Sequence, residues 1–222
     1  MDTKMGLSRP STPPYTLNSA VDSLLKNEFD LLREKGQKHE LVEKYALECI
    51  PFKHKDLPQW RGEVKAYEGA LVHDEKSNLI INGLVDDLWQ DNEGNLVIVD
   101  YKSTSSSKEI SLDDEWKQSY KRQMEVYQWI FRKLGFQVSN TGYFVFANAL
   151  KNLPKFDGRL EFAMSIIPYT GNDKWVPLTL LEIKETLESS DIPNPAADCE
   201  YCAYKLMSAQ AVAEWKKSSS RG

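Results

Sequence analysis

Apolar residues recur at helical spacing from Leu17 onward. Leu17, Val21, Leu24, Leu25 and Leu32 predict a helix that Gly36 can close. The stretch before it, SRPSTPP at 8–14, reads as extended, so residues 1–16 are expected to form an N-terminal segment ahead of the core. A short second helix is expected over 39–47. The period then changes to two: strands are predicted at 68–73, 79–89 and 95–102, with DNEGN at 91–95 as the turn between the last two. The Ser-rich run 103–107 is a loop. Ser111 and Asp114 resemble a capping box opening a helix that reaches Leu134, with Trp116, Tyr120, Gln123, Tyr127, Ile130 and Leu134 on one face and Gly135 at its end. A continuous apolar run at 142–146 and the alternating Leu160, Phe162, Met164 and Ile166 predict two more strands. A helix at 179–188, a turn at IPNP and a last helix complete the pattern. The order α-α-β-β-β-α-β-β-α-α predicts an α/β fold, a mixed central sheet flanked by helices. The core is expected over 17–195, with 196–222 appended to it.

Composition narrows the class. The chain has 222 residues, 41% hydrophobic and 27% charged, enough for one domain with a real core. No apolar run is long enough for a membrane span, and the N-terminus lacks the apolar stretch of a secretory signal, so a cytoplasmic protein is expected. The formal net charge of −5 argues against broad attraction to nucleic acid. Any contact with a polyanion must be local. Lys117, Lys121, Arg122, Arg132 and Lys133 form one candidate flank, or an ordinary solvated helix face.

The chemistry concentrates in GLVDDLWQDNEGNLVIVDYKST, residues 83–104. A turn centred on Glu93 sets Trp89 opposite Val97, Leu88 opposite Ile98 and Asp86 opposite Asp100. Opposed residues share a side of the sheet, with Cβ atoms roughly 4.5–5.5 Å apart. Lys102, two residues past Asp100, joins them, while Val85, Val97, Val99 and Tyr101 take the other side. A D-x-K tripeptide alone usually decorates a solvated face. Here the apolar LVIV before Asp100 indicates a strand buried on both faces, and a second acid falls opposite. Two carboxylates so close repel unless a cation lies between them, and Mg²⁺ or Mn²⁺ prefers such oxygen ligands.

With these residues in view, G-L-V-D (83–86) followed by V-D-Y-K (99–102) resembles the PD-(D/E)XK nuclease superfamily. Gln123-Met-Glu-Val-Tyr127 is similar to the Q-x-x-x-Y of its RecB-like branch, and Gly36-Gln37-Lys38-His39 to that branch's G-x-x-H. The resemblance implies a restriction-endonuclease-like core. It also implies that Asp86, Asp100 and the Tyr101 carbonyl bind metal, that His39 completes the shell, that Lys102 assists the attacking water, and that Gln123 and Tyr127 support the site or touch DNA. The implied activity is a Mg²⁺- or Mn²⁺-dependent deoxyribonuclease of repair, recombination or defence. The rival readings are a non-catalytic binding module on the same fold and a subunit of a larger helicase–nuclease complex, whose motor would come in trans because no P-loop is present.

Cysteine usage adds one question. Cys49 stands alone and reads as core; His54 and His73 match no motif. Cys199-Glu-Tyr-Cys202 resembles the C-terminal part of the cluster motif in the iron–sulfur nucleases of CRISPR adaptation, but two thiolates cannot complete a cluster or zinc site, so neither is expected in this chain. The pair fits a remnant of a lost cluster, a site completed by a partner, or a start downstream of a cysteine-bearing helix, the last being favoured.

Overall fold

The computed structural model describes residues 15–65, 68–114 and 117–219. The expected N-terminal segment lies almost wholly outside them, as does Trp116. The chain divides into two units, Met1–Glu182 and Ile183–Gly222. No described helix is long and apolar enough to cross a membrane.

Helix α1 (Thr16–Lys35) buries Leu25, Phe29 and Arg33, one residue per turn. Gly36 ends it at φ 62°, its N–H donating to the Arg33 carbonyl at 3.2 Å while the Gln37 N–H donates to the Leu32 carbonyl at 3.0 Å. Helix α2 (Glu40–Lys44), strand β1 (Cys49–Pro51) and helix α3 (Leu57–Trp60) follow. A hairpin of β2 (Ala70–Asp74) and β3 (Leu79–Gly83) forms a small separate sheet. Strands β4 (Asp87–Asp91) and β5 (Leu96–Thr104), helix α4 (Gln118–Lys133), and strands β6 (Thr141–Ala149) and β7 (Phe162–Thr170) build the centre. Helix α5 (Val176–Glu188) comes next, and α6 (Glu200–Ser219) lies in the second unit.

The five-stranded sheet runs β1-β4-β5-β6-β7. β5 and β6 are parallel and joined through α4; the other neighbours are antiparallel. The predicted mixed sheet flanked by helices is therefore present. Along β5 the side chains alternate between two cores. Leu96 and Ile98 pack with α4 residues Met124, Tyr127, Ile130 and Phe131 and with Ala70 and Val72 of the hairpin. Val97, Val99 and Tyr101 pack with Leu25 and Phe29 of α1.

The structure corrects three expectations. The single strand over 79–89 is two strands in different sheets. Gly83 ends the first, lying so close to α4 that an added Cβ would sit 2.8 Å from Ile130 and 3.0 Å from Tyr127. The Val85 N–H then turns to the Trp60 carbonyl at 3.1 Å. That bend sends Val85 into the α4-side core instead of the opposite side. Helix α4 opens at Gln118 rather than at Ser111, whose hydroxyl accepts the Asp113 N–H at 3.3 Å in a local turn.

Asp87, fully buried, anchors the first unit. Its Oδ1 accepts from Arg33 at 2.5 Å, from Arg61 at 2.8 Å and from the Leu88 N–H at 2.8 Å; its Oδ2 accepts the Tyr101 phenol at 2.7 Å. Arg61 also holds Asp30 of α1. A buried charge demands such a full set of partners. One carboxylate thereby ties α1, the residue after α3, β4 and β5 together.

Candidate active site

The hairpin register is the predicted one: Trp89 pairs with Val97 and Leu88 with Ile98, and the ladder ends at Asp87–Val99. Asp86 thus sits one residue before β4, where the strand has not begun. Its Oδ2 accepts the backbone N–H of Tyr101 at 2.8 Å. Asp100 is buried at 2% exposure, on the α4 side with Lys102. The Lys102 ammonium contacts Asp100 Oδ2 directly. That contact is an ion pair rather than an aligned hydrogen bond, and the oxygen has no other polar partner.

Lys102 is held on two further sides. It donates to Gln123 Oε1 at 3.3 Å, and Gln123 Nε2 lies 2.8 Å from the Tyr127 hydroxyl. The i, i+4 spacing on α4 is what lets Gln123 and Tyr127 meet. The ammonium also lies 4.6 Å from the centre of the Tyr120 ring. Burial raises the Tyr127 phenol well above its ordinary range, so Tyr127 is a neutral hydrogen-bonding group at any ordinary pH.

Helix α1 contributes two charges that motif reasoning missed. Lys26 lies 3.8 Å from Asp86 Oδ1 and 2.8 Å from Asp22 Oδ2. The negative charge of Asp22 reaches both acids. The signal was present as an i, i+4 Asp–Lys pair on the polar face of a helix whose apolar face was plain, but such pairs are common on solvated helices.

These neighbours set the proton affinity of the acids. Desolvation and the adjacent Asp100 push Asp86 up to about 7, against the opposing pull of Lys26 and Lys102. About a quarter of the Asp86 side chain meets solvent, yet surrounding protein still dominates its environment. Asp100 is raised as well, chiefly by burial, with Lys102 opposing. Two acids that cannot both ionise cheaply make a site short of positive charge.

The donor set suits a small hard cation. Among the described residues no three His, Cys, Asp or Glu side chains converge into a cage. Mg²⁺ ordinarily binds through one or two carboxylates and keeps its other positions for waters and substrate phosphate. A backbone oxygen is also in place. The N–H and C=O of one residue in an antiparallel ladder face the same neighbour. The Tyr101 N–H faces Asp86, so its carbonyl faces the same gap, where the β4 ladder has ended.

The other expected residues have partners of their own. His39 caps α2: its Nδ1 accepts the Leu41 N–H at 2.9 Å, its Nε2 lies 2.9 Å from Glu28 Oε1, and its ring stacks on Phe29 at 4.4 Å. It does not join Asp86 and Asp100 in a cluster. In the basic flank, Lys117 is buried against Asp114 and the Ser111 carbonyl, and Arg132 holds Asp173 and Asn140. In the second unit, Cys199 sits at the start of α6, with the N–H and thiol of Cys202 lowering its proton affinity and Cys202 raised in turn. Both thiols are free.

A family model described as the PD-(D/E)XK nuclease superfamily matches residues 6–207. Among solved structures, one described as "Crystal structure of SSO0001" aligns at 20% identity and a TM-score of 0.34, over 61% of this chain and 54% of that one. The chain thus spans about half of that structure's length. The comparison with curated proteins finds no match.

Proposed function

Because the chain belongs to the PD-(D/E)XK nuclease superfamily, whose fold implies a nucleic-acid substrate, we propose that it is a Mg²⁺- or Mn²⁺-dependent deoxyribonuclease acting through Asp86, Asp100 and Lys102. The observation that carries this reading is the meeting of two carboxylates of raised proton affinity with one lysine, at the point where the β4 ladder opens. Asp86, Asp100 and the Tyr101 carbonyl are the residues that would hold the cation. A divalent cation there supplies a water of lowered pKa and a counter-charge for a phosphoryl oxygen.

The protein's own groups account for the rest. The Lys102 ammonium has three donors. Engaged by Asp100 and Gln123, it keeps one to aim at a non-bridging phosphate oxygen or at the attacking water. Gln123, backed by Tyr127, fixes the direction of that ammonium. Lys26, 2.8 Å from Asp22 and 3.8 Å from Asp86, would offset part of the negative charge of the two acids. The Gln123–Tyr127 pair also supports placement beside the RecB-like enzymes of the superfamily.

The test is cleavage of end-labelled single- and double-stranded DNA with Mn²⁺ or Mg²⁺, comparing the unaltered protein with Asp100→Ala and Lys102→Ala. Loss of cleavage in both variants, and on adding EDTA, supports the assignment. Cleavage that survives both substitutions overturns it. Specific DNA binding without cleavage by the unaltered protein would favour the non-catalytic module.

A further inference from the structure

Beyond the ends of β5 and β6 lies a cleft of about 140 Å³ that the proposed chemistry does not use. Ser106 and Ser107 form one wall, and Lys151 and Asn152, flanked by Leu150 and Leu153, form the other. We propose that this cleft binds a backbone phosphate of the strand being cut, a few nucleotides from the scissile bond, with Lys151 as its cation. The inference rests on the nuclease reading above and extends it to a second contact on the same substrate.

Position is the first argument. β5 and β6 are parallel, with Lys102 beside Phe146 and Thr104 beside Asn148. Ligands of open α/β sheets gather outside the carboxyl ends of parallel strands. Ser106 follows Lys102 by four residues, at most about 13 Å of extended chain. That short reach keeps the cleft within a few nucleotides of the scissile bond.

The cleft is also held in shape by its own hydrogen bonds. Ser106 N–H donates to Asn148 Oδ1 at 2.8 Å, and Asn148 Nδ2 donates back to the Ser106 carbonyl at 3.1 Å. Ser105 Oγ donates to the Ala149 carbonyl at 3.3 Å, and Lys151 Nζ to the Ser105 carbonyl at 3.1 Å. These four bonds pin the Ser-rich loop to the end of β6. They hold the Lys151 ammonium at the cleft, with donors left over for a ligand.

Chemistry is the third argument. Although the chain is acidic, none of the described residues that line this cleft carries a carboxylate. Hydroxyls, an amide and an ammonium are the groups that contact phosphate in protein–DNA interfaces. Leu150 and Leu153, 38% and 41% exposed, offer an apolar margin for the sugar or base. An acidic peptide would meet the same single cation but would leave those leucines and hydroxyls without a periodic partner. A polynucleotide presents phosphate and apolar surface together at every step.

The experiment measures binding of a fluorescein-labelled oligodeoxythymidylate by anisotropy across a salt series, with Ca²⁺ replacing Mg²⁺ so that binding is read without turnover. Removing one phosphate contact should lower the slope of log K against log salt by about 0.7 on a single strand. Lys151→Ala is expected to show that drop, Lys151→Arg to keep the original slope, and Lys76→Ala, on the β2–β3 turn, to leave it unchanged. If the unaltered protein cleaves DNA but Lys151→Ala keeps its slope, the cleft assignment is overturned and the nuclease reading stands. If the unaltered protein neither binds nor cleaves DNA, both are overturned.

Discussion

The backbone N–H of Tyr101 donates to Asp86 Oδ2 at 2.8 Å, so the strand that carries the inner acid also holds the outer one. The phenol of the same residue reaches the opposite side of the sheet, where it donates to Asp87 Oδ2 at 2.7 Å. One residue therefore serves the site through its main chain and the fold through its side chain.

Tyr101→Phe should separate those two services. It removes the phenol and leaves buried Asp87 Oδ2 unsatisfied, at a cost of about 1–3 kcal/mol. At roughly 2–4 °C per kcal/mol for a chain of this size, the melting temperature should fall by several degrees. The backbone bond to Asp86 survives, so cleavage at 25 °C should stay within a few-fold of the unaltered protein. An intact melting temperature with activity lost would contradict this division.

Asp86 and Asp87 are neighbours in sequence with opposite expected behaviour. Asp87→Asn removes the buried counter-charge of Arg33 and Arg61, which are 5% and 2% exposed at the side chain, and leaves them to share the more exposed Asp30. Breaking a buried pair in this way costs about 3–5 kcal/mol. Asp86→Asn should abolish cleavage while the metal-free protein remains at least as stable as before. Urea denaturation of both variants in EDTA makes the comparison; equal destabilisation would refute it.

The raised proton affinity of Asp86 has a signed consequence for stability. Its carboxyl titrates near 4 in the unfolded chain and at about 7 in the folded, metal-free one. Between those values the folded state binds more protons than the unfolded state, so stability falls as pH rises. The contribution is fully present below about pH 4 and is lost as pH passes 7. Asp86→Asn removes this slope: in EDTA its melting temperature should exceed that of the unaltered protein at pH 8 and converge with it at pH 4. A difference that does not depend on pH would mean that Asp86 ionises freely.

Lys102→Met should divide chemistry from cation binding. On the proposed mechanism the ammonium competes with a cation for Asp100 and helps in the reaction, so its loss should lower kcat by about 10²–10³-fold. Mn²⁺ should bind as tightly as before or more tightly. Calorimetric titration with Mn²⁺ beside turnover rates reads the two effects. Weaker Mn²⁺ binding would make Lys102 a structural support for the acids instead.

What could be read from the sequence follows physical range. The turn at 91–95 fixed the β4–β5 register, because a short hairpin determines its own pairing. The helix at 16–35 was legible from its apolar period and Gly36. The break between β3 and β4 was not, because its cause lies on α4, whose Tyr127 and Ile130 crowd Gly83 from more than forty residues away. Asp87 escaped notice for a similar reason: next to Asp86 it looked like a spare acid, and its arginines come from distant α1 and from the residue after α3. Spacing put Gln123 and Tyr127 on one helical face, and the resemblance to Q-x-x-x-Y implied that the pair supports the site, where it meets Lys102. The reach of Asp22 and Lys26 depends on how α1 lies across the sheet, which no local pattern encodes.

The paired acids at 86 and 87 also limit how this chain can vary in length. Successive residues of a strand point to opposite sides, so a slip of one position exchanges their places. Deleting a single residue from the bend at 84–85 would draw the wrong acid toward Arg33 and Arg61 and leave the other in the gap beside Tyr101. Surface loops of such proteins absorb insertions and deletions readily. This bend, though short and outside both sheets, is expected to tolerate none, because its length is what tells two identical side chains apart.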